Sequence, residues 1–367
     1  MTLRRTNASP LSGGQGLSLL TIACSRRFRL LTAAAAATGL FLWLLLNHTS
    51  PAKVPDWSAL GWKAGSDNSP PDQIDHTIWS RFAYVQYVTN SAYLCNSVMI
   101  FETLHRLGSK ADRVMMYPSN MMDPAATGAS TPDGELLIKA RDQYGVRLSP
   151  ISVHHRDSEE GTWADSFTKL LAFNQTDYSR VLVLDSDAVV LQLMDELFLL
   201  PPCTAAMPRA YWLHPDKKIL TSLLMLIEPN VVEFSRVMDK IESAGRNDYD
   251  MEIVNDLYID SAMVLPHRRY AMLSAEFRSD GHALYLGSDR EVWDPVAAYN
   301  EAKIIHFSDW PVAKPWLPTP AEVIQKYEPK CRMKDGLETC VERELWYRLY
   351  DDFRRYRREI CPTGGDR

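Results

Sequence analysis

Six cysteines among 367 residues are too few for a scaffold built on disulfides, and 17 glycines are too few for a collagen-like chain. Disorder is excluded as well, because 46% of the residues are apolar, only 23% are charged and ten are tryptophan. One large or two small globular domains are expected. Acid is missing from the first 29 residues, which carry Arg4, Arg5, Arg26, Arg27 and Arg29; without those arginines the net charge of −6 becomes −11. So acidic a body does not grip a phosphate backbone nonspecifically, and no nucleic-acid partner is expected. An anionic substrate must be met by a local device, a metal ion or a few placed cations.

Charge of either sign is missing from Leu30 to Leu46, 17 residues in which Gly39 is the one strong helix breaker. The length suits a short transmembrane helix, and the arginines just before it would stay cytosolic. That makes residues 1–29 a cytosolic tail and 30–46 a type II signal anchor. A cleaved signal peptide fits less well, because the apolar stretch is too long and His48-Thr49-Ser50 is a poor cleavage site. Residues 47–78, with Pro51, Pro55, Pro70 and Pro71 among polar residues, read as a stem. In this topology Asn47-His48-Thr49 and Asn174-Gln175-Thr176 are luminal N-glycan acceptors, while Asn7-Ala8-Ser9 is cytosolic. Five cysteines then face an oxidising lumen. Cys331 and Cys340 are near enough in sequence to bridge, and Cys361 lies in the same region. Cys95 and Cys203, in apolar surroundings, are expected to be buried thiols.

Past the stem, strands and helices alternate. Phe82–Thr89 reads as a strand, and from Ser91 apolar residues recur at helical spacing. Strands at Arg113–Tyr117, Val146–Ile151 and Arg180–Leu184 are separated by helices near 134–143 and 165–173. The pattern predicts an α/β fold around a mostly parallel sheet covered on both faces, with ligands at the carboxyl ends of its strands. The second half is less regular, with apolar runs at 222–227 and 303–307 and helices near 231–243 and 251–258. After Pro318 the chain turns charged and helical.

Asp185-Ser186-Asp187 closes the apolar strand Val181–Leu184. Two carboxylates at the end of a buried strand are costly without a counter-charge, and a divalent cation is the natural one. Asp-x-Asp is common, however, and Asp248-Tyr249-Asp250 is a second example. His306 follows the apolar Lys303-Ile304-Ile305 and can complete a site with the two acids; Lys314, one short loop later, can neutralise a phosphate oxygen. Two carboxylates and an imidazole suit Mn²⁺ better than Mg²⁺.

Four segments carry a resemblance: Tyr87 to Tyr93, Phe167 to Leu170 with Tyr178 to Asp187, Asp250 to Asn255, and His306-Phe307 with Lys314-Pro315-Trp316. Across residues 80–318 the chain resembles the glycogenin-like glycosyltransferases (glycosyltransferase family 8), and within them a fungal Golgi N-acetylglucosaminyltransferase branch. The resemblance implies a single GT-A domain over 79–318, a Rossmann-like nucleotide-diphospho-sugar transferase fold, with a helical extension over 319–367. It implies a UDP-sugar donor, Mn²⁺, transfer with retention, a glycan acceptor ending in mannose, and a luminal Golgi setting. Tyr87, Thr89, Asn90 and Tyr93 would meet the uridine, with Lys169, Asp185 and Ser186 also in the nucleotide-sugar site. Asp185, Asp187 and His306 would ligate the metal, Lys314 would stabilise the departing UDP, and Asp250 would lie beside the sugar.

Three departures concern the sugar pocket. The loop from His306 to Lys314 is two residues longer than in glycogenins, so it must bulge, with Pro311 as a candidate to fix the excursion. Thr221-Ser222-Leu223 and Asp250-Met251-Glu252 replace family segments that carry amides and a glycine. Leu223 and Met251 would then favour an acetamido methyl, and so UDP-GlcNAc, unless they merely pack the core. Trp163, Trp212, Trp293 and Trp310 are candidate surfaces for an acceptor glycan. Three other readings remain: a glycogenin-like glucosyltransferase, a noncatalytic glycan-binding domain, and a dehalogenase-type phosphatase that would use Asp-Ser-Asp but not His306 or Lys314.

Overall fold

The computed structural model describes residues 78–153, 166–214, 216–245, 248–334 and 336–362. The tail, the anchor, nearly all of the stem, Asn47 and Trp163 lie outside these residues. Among the described residues, no helix is long and apolar enough to cross a membrane.

β1 (Phe82–Tyr87) is apolar on both sides of its pleat, as expected of a strand covered on both faces. It ends where Asn90 turns the chain, its side chain accepting hydrogen bonds from the amides of Ala92 and Tyr93 to cap α1 (Ser91–Arg106). β2 (Asp112–Pro118) pairs parallel with β1. Thr131 then caps α2 (Pro132–Tyr144), which stops at Gly145 in the left-handed region, φ 63°. β3 (Val146–Ile151) pairs parallel with β2. A 3₁₀ run over Ser166–Asn174, where the sequence suggests a regular helix, leads into β4 (Arg180–Leu184). β4 pairs with the free side of β1, so the chain reverses its direction of winding between β1 and β4.

Beyond β4 come β5 (Ala188–Val190), β6 (Ala205–Pro208) and β7 (Leu224–Ile227), then α3 (Val231–Glu242), α4 (Asp250–Tyr258) and β8 (Met263–Leu265). The main sheet has the order β3-β2-β1-β4-β7-β6-β8, with β7 antiparallel to both its neighbours. It is mostly parallel, as expected, but mixed at the β7 side. Its alternating side chains form two cores. Tyr84, Met115, Tyr117, Leu182 and Leu184 pack with α1 and α2, while Ala83, Val85, Val114, Val181 and Val183 pack with the 3₁₀ run and residues of α3 and α4. A second sheet joins β5, β9 (Met272–Leu273) and β10 (Ile304–His306) in the order β5-β10-β9.

α5 (Pro295–Glu301) and α6 (Ala321–Tyr327) precede a short hairpin of β11 (Arg332–Lys334) and β12 (Leu337–Thr339) and the long α7 (Val341–Ile360). α7 buries Trp346, Leu349, Tyr350, Phe353 and Ile360, one stripe at helical spacing, against α1 and the site loop. A disulfide joins Cys95 of α1 to Cys361, with Cα atoms 6.1 Å apart, and a second joins Cys331 to Cys340. The first corrects the expectation of a buried Cys95 thiol: α7 brings Cys361 onto α1, a pairing across 266 residues that no local pattern signals. Cys203 is a free, half-buried thiol.

Candidate active site

In open α/β sheets ligands collect outside the strand ends where the winding reverses. Here that place lies between β1, which ends at Tyr87, and β4, which runs straight into Asp185. The Asp185 amide donates to the Leu223 carbonyl at 3.0 Å, carrying the β4–β7 ladder one residue past the strand and fixing the first acid. After Ser186, the chain enters β5, which runs antiparallel to β10 with Ala188 opposite His306. The Phe307 amide donates to the Asp187 carbonyl at 3.0 Å, so backbone pairing itself sets His306 beside Asp187. His306 Nε2 lies 3.1 Å from Asp187 Oδ1 and 3.9 Å from Asp185 Oδ2.

One ligand atom from each of Asp185, Asp187 and His306 lies within 4.8 Å of the other two. Two carboxylates and one imidazole are an appropriate donor set for a divalent first-row metal, and three protein ligands leave positions open. The residues therefore fit such an ion.

Cations hold the acids from both sides. Lys169 Nζ, on a side chain only 3% exposed, lies 2.6 Å from Asp185 Oδ1 and 2.6 Å from Asp250 Oδ2, and donates to the Ser222 carbonyl at 3.2 Å. Burial alone would drive the proton off Lys169, but Asp185 and Asp250 outweigh it and raise its pKa. Burial raises the pKa of Asp185, with Asp187 and Asp250 adding to it and Lys169 opposing. Desolvation would raise the pKa of Asp187 as well, yet His306 and then Lys314, 2.7 Å from its Oδ2, hold its carboxyl well below the usual range. The same Lys314 Nζ donates to the Phe307 carbonyl, closing the base of its loop. Tyr87 donates its hydroxyl to Asp185 Oδ1 at 3.1 Å, and burial, then Asp185, push its pKa well up.

Thr89 and Asn90 open onto a cavity of about 660 Å³ at the carboxyl ends of β1, β2 and β3, with Ser119, Asn120 and Ile151 in its wall. Asn90 spends its side-chain oxygen on capping α1. Tyr93 meets Trp316 edge to face, ring centres 5.7 Å apart, which ties α1 to the loop after Lys314. Ser186 is buried. At the other end of the site, Leu223 is buried in the core, and Met251 is half-buried. Asp250 opens α4, and Lys169 joins it to Asp185.

Two positioning residues were not foreseen. Asn255 accepts from the Leu220 amide at 2.8 Å and donates to the Leu220 carbonyl at 2.9 Å, pinning the 220–223 segment to α4. Asp309 lies in the long loop after His306, its side chain wholly buried. It accepts from Trp346 Nε1 at 3.0 Å, Tyr350 Oη at 2.9 Å, Arg278 Nη1 at 3.3 Å and Ser274 Oγ. An acid inside an apolar loop between two site residues was the available signal for Asp309.

The chain is similar to proteins named glucose N-acetyltransferase 1. That of Gibberella zeae is 59% identical over 290 residues, 78% of this chain and 64% of the relative, so the chain spans under two thirds of that protein. The protein of Aspergillus fumigatus is 44% identical over 355 residues, 92% of this chain and 88% of the relative. No protein-family model matches the chain. Among solved structures, the WbbM bifunctional glycosyltransferase in its apo form superposes with a TM-score of 0.50 over 78% of this chain and 50% of that one, at 14% identity. The two share a fold.

Proposed function

Because the chain belongs to the family named glucose N-acetyltransferase 1, we propose that it is a metal-dependent, retaining glycosyltransferase related to the glycogenin-like family 8. In this reading it moves N-acetylglucosamine from UDP-GlcNAc to a mannose-type glycan in the Golgi. The observation that carries the proposal is the meeting of Asp185, Asp187 and His306 with two lysines at one strand-end crevice. A domain kept only for glycan binding has no use for so costly a set of converging, partly buried charges.

When bound, Mn²⁺ offsets the negative charge of the diphosphate and of the departing UDP. The imidazole favours Mn²⁺ over Mg²⁺. The rest of the work belongs to side chains. Thr89 and Asn90 line the cavity assigned to the uridine, with Tyr87 and Tyr93 on either side of them in the chain. Lys314 leaves Asp187 for a phosphate oxygen and stabilises the charge that grows as the glycosidic bond breaks. Lys169 holds Asp250 in place through its 2.6 Å contact. With one of its oxygens held at 2.6 Å by an ammonium, Asp250 is a blunted nucleophile, and we assign it to orienting a sugar hydroxyl. Met251, half-buried beside Asp250, is the residue we assign to the acetamido group; Leu223 serves the core.

The setting follows from the N-terminus: arginines, an uncharged stretch and a proline-rich stem make a type II membrane protein with a luminal catalytic domain. Asn174, exposed at the end of the 3₁₀ run, is then open to N-glycosylation. The test is release of UDP by the full chain in detergent, with Mn²⁺ and a mannoside acceptor, across several UDP-sugars. UDP-GlcNAc should be preferred, and Asp187→Asn should abolish turnover while the circular dichroism stays native. Undiminished turnover in that variant would remove the metal assignment.

A further inference from the structure

Of the tryptophans in the described residues, one stands out in the solvent. Trp212 is half-buried and edge-on to Tyr211, Trp293 lies flat on His282 with ring centres 4.0 Å apart, and Trp79, Trp316 and Trp346 are half-buried or buried. Trp310 is 90% exposed, the highest exposure among the exposed large hydrophobic side chains. An isolated surface aromatic needs no explanation by itself. The loop that carries this one does, because both its ends belong to the site: His306 lies four residues before Trp310 and Lys314 four residues after.

We propose that Trp310 is a stacking surface for the acceptor glycan, one or two sugars away from the hydroxyl that is attacked. The proposal deepens the glycosyltransferase reading and rests on it. The tip is held rigidly from below. Asp309, the preceding residue, is locked by Trp346, Tyr350, Arg278 and Ser274, and the Val312 amide donates to the Asp309 carbonyl at 2.9 Å, closing a turn with Trp310 at its corner. A backbone so fixed loses little freedom on binding. Four extended residues span at most about 14 Å, so the indole stays within two or three sugar units of His306. A pyranose offers a face of C–H groups and a rim of hydroxyls, which an indole matches better than any neighbouring side chain.

The test compares acceptor and donor kinetics for the full chain in detergent, with mannose and an α-mannotriose as acceptors. Trp310→Ala should raise the KM for mannotriose about tenfold and narrow its advantage over mannose, as loss of one aromatic stack implies, while the KM for UDP-GlcNAc moves less than about twofold. Trp310→Phe should recover most of the loss. A mannotriose KM unmoved in Trp310→Ala, beside an active wild type, overturns the proposal alone. So does an equal rise of both KM values, which would mean a collapsed loop, or a variant that differs from wild type only in vesicle binding. A wild type that transfers no sugar overturns the glycosyltransferase reading, and the proposal with it.

Discussion

At Asp187 one carboxylate is claimed by two partners, His306 at 3.1 Å on one oxygen and Lys314 at 2.7 Å on the other. A cation entering beside it must compete with the ammonium of Lys314, and a diphosphate relieves that competition by drawing the lysine away. Metal and nucleotide should therefore bind with positive coupling. Lys314→Met is expected to raise the Mn²⁺ affinity measured without UDP about tenfold and to shrink the gain that UDP brings, followed by the paramagnetic signal of free Mn²⁺. A Mn²⁺ affinity unchanged in this variant would mean that Lys314 does not compete. Lys169 is different, because it bridges two buried carboxylates. Lys169→Met leaves Asp185 and Asp250 facing each other and should lower stability by about 3–5 kcal/mol in denaturant titrations. Asp309→Ala, which removes the counter-charge of Arg278 and the acceptor of Trp346, Tyr350 and Ser274, should cost a similar amount, about 3–5 kcal/mol, against well under 1 for an exposed acid such as Asp280.

Among the elements, α7 does more than extend the domain. Its Trp346 and Tyr350 hold Asp309, its Arg357 donates to the Ala92 carbonyl at 3.1 Å and to the Asn96 side chain, and Cys361 just beyond it is bonded to Cys95. One helix thus ties the loop of His306 and Lys314 to α1, whose cap Asn90 lines the cavity at the ends of β1 to β3. Cys361→Ser should cost about 3–5 kcal/mol and speed amide exchange in both α7 and the 306–316 loop. Faster exchange in α7 alone would show that the loop stands without it. This arrangement was hidden from the sequence, because helix-to-helix bonds across hundreds of residues leave no local trace. β4 is legible to the residue because a buried strand is an unbroken apolar run between turns, whereas β3, an edge strand with only Val146 buried, is marked by the Gly145 turn before it. The 3₁₀ run was read as an ordinary helix, because a nine-residue apolar stretch does not separate a three-residue turn from a 3.6-residue one. Asp185 and Asp187 could be placed from their strand, and His306 could be offered as their partner from the apolar run before it and then from the resemblance; the β5–β10 register is the physical cause of their meeting.

For the molecule as a whole, a sheet whose winding reverses beside β1 makes a crevice, and a second small sheet brings the third ligand across to it. The cavity of about 660 Å³ at the ends of β1 to β3 lies on one side, and Asp250, joined through Lys169 to Asp185, on the other. On the proposed function these parts would take, in order, the nucleotide, the diphosphate and the sugar. Crystals of the protein grown with Mn²⁺ and UDP, measured at the manganese absorption edge, test this most directly. One anomalous peak within coordination distance of Asp185, Asp187 and His306, with Lys314 turned from Asp187 to a phosphate oxygen, is the predicted result. A peak elsewhere, or UDP bound with those three side chains contacting no metal, would contradict the account.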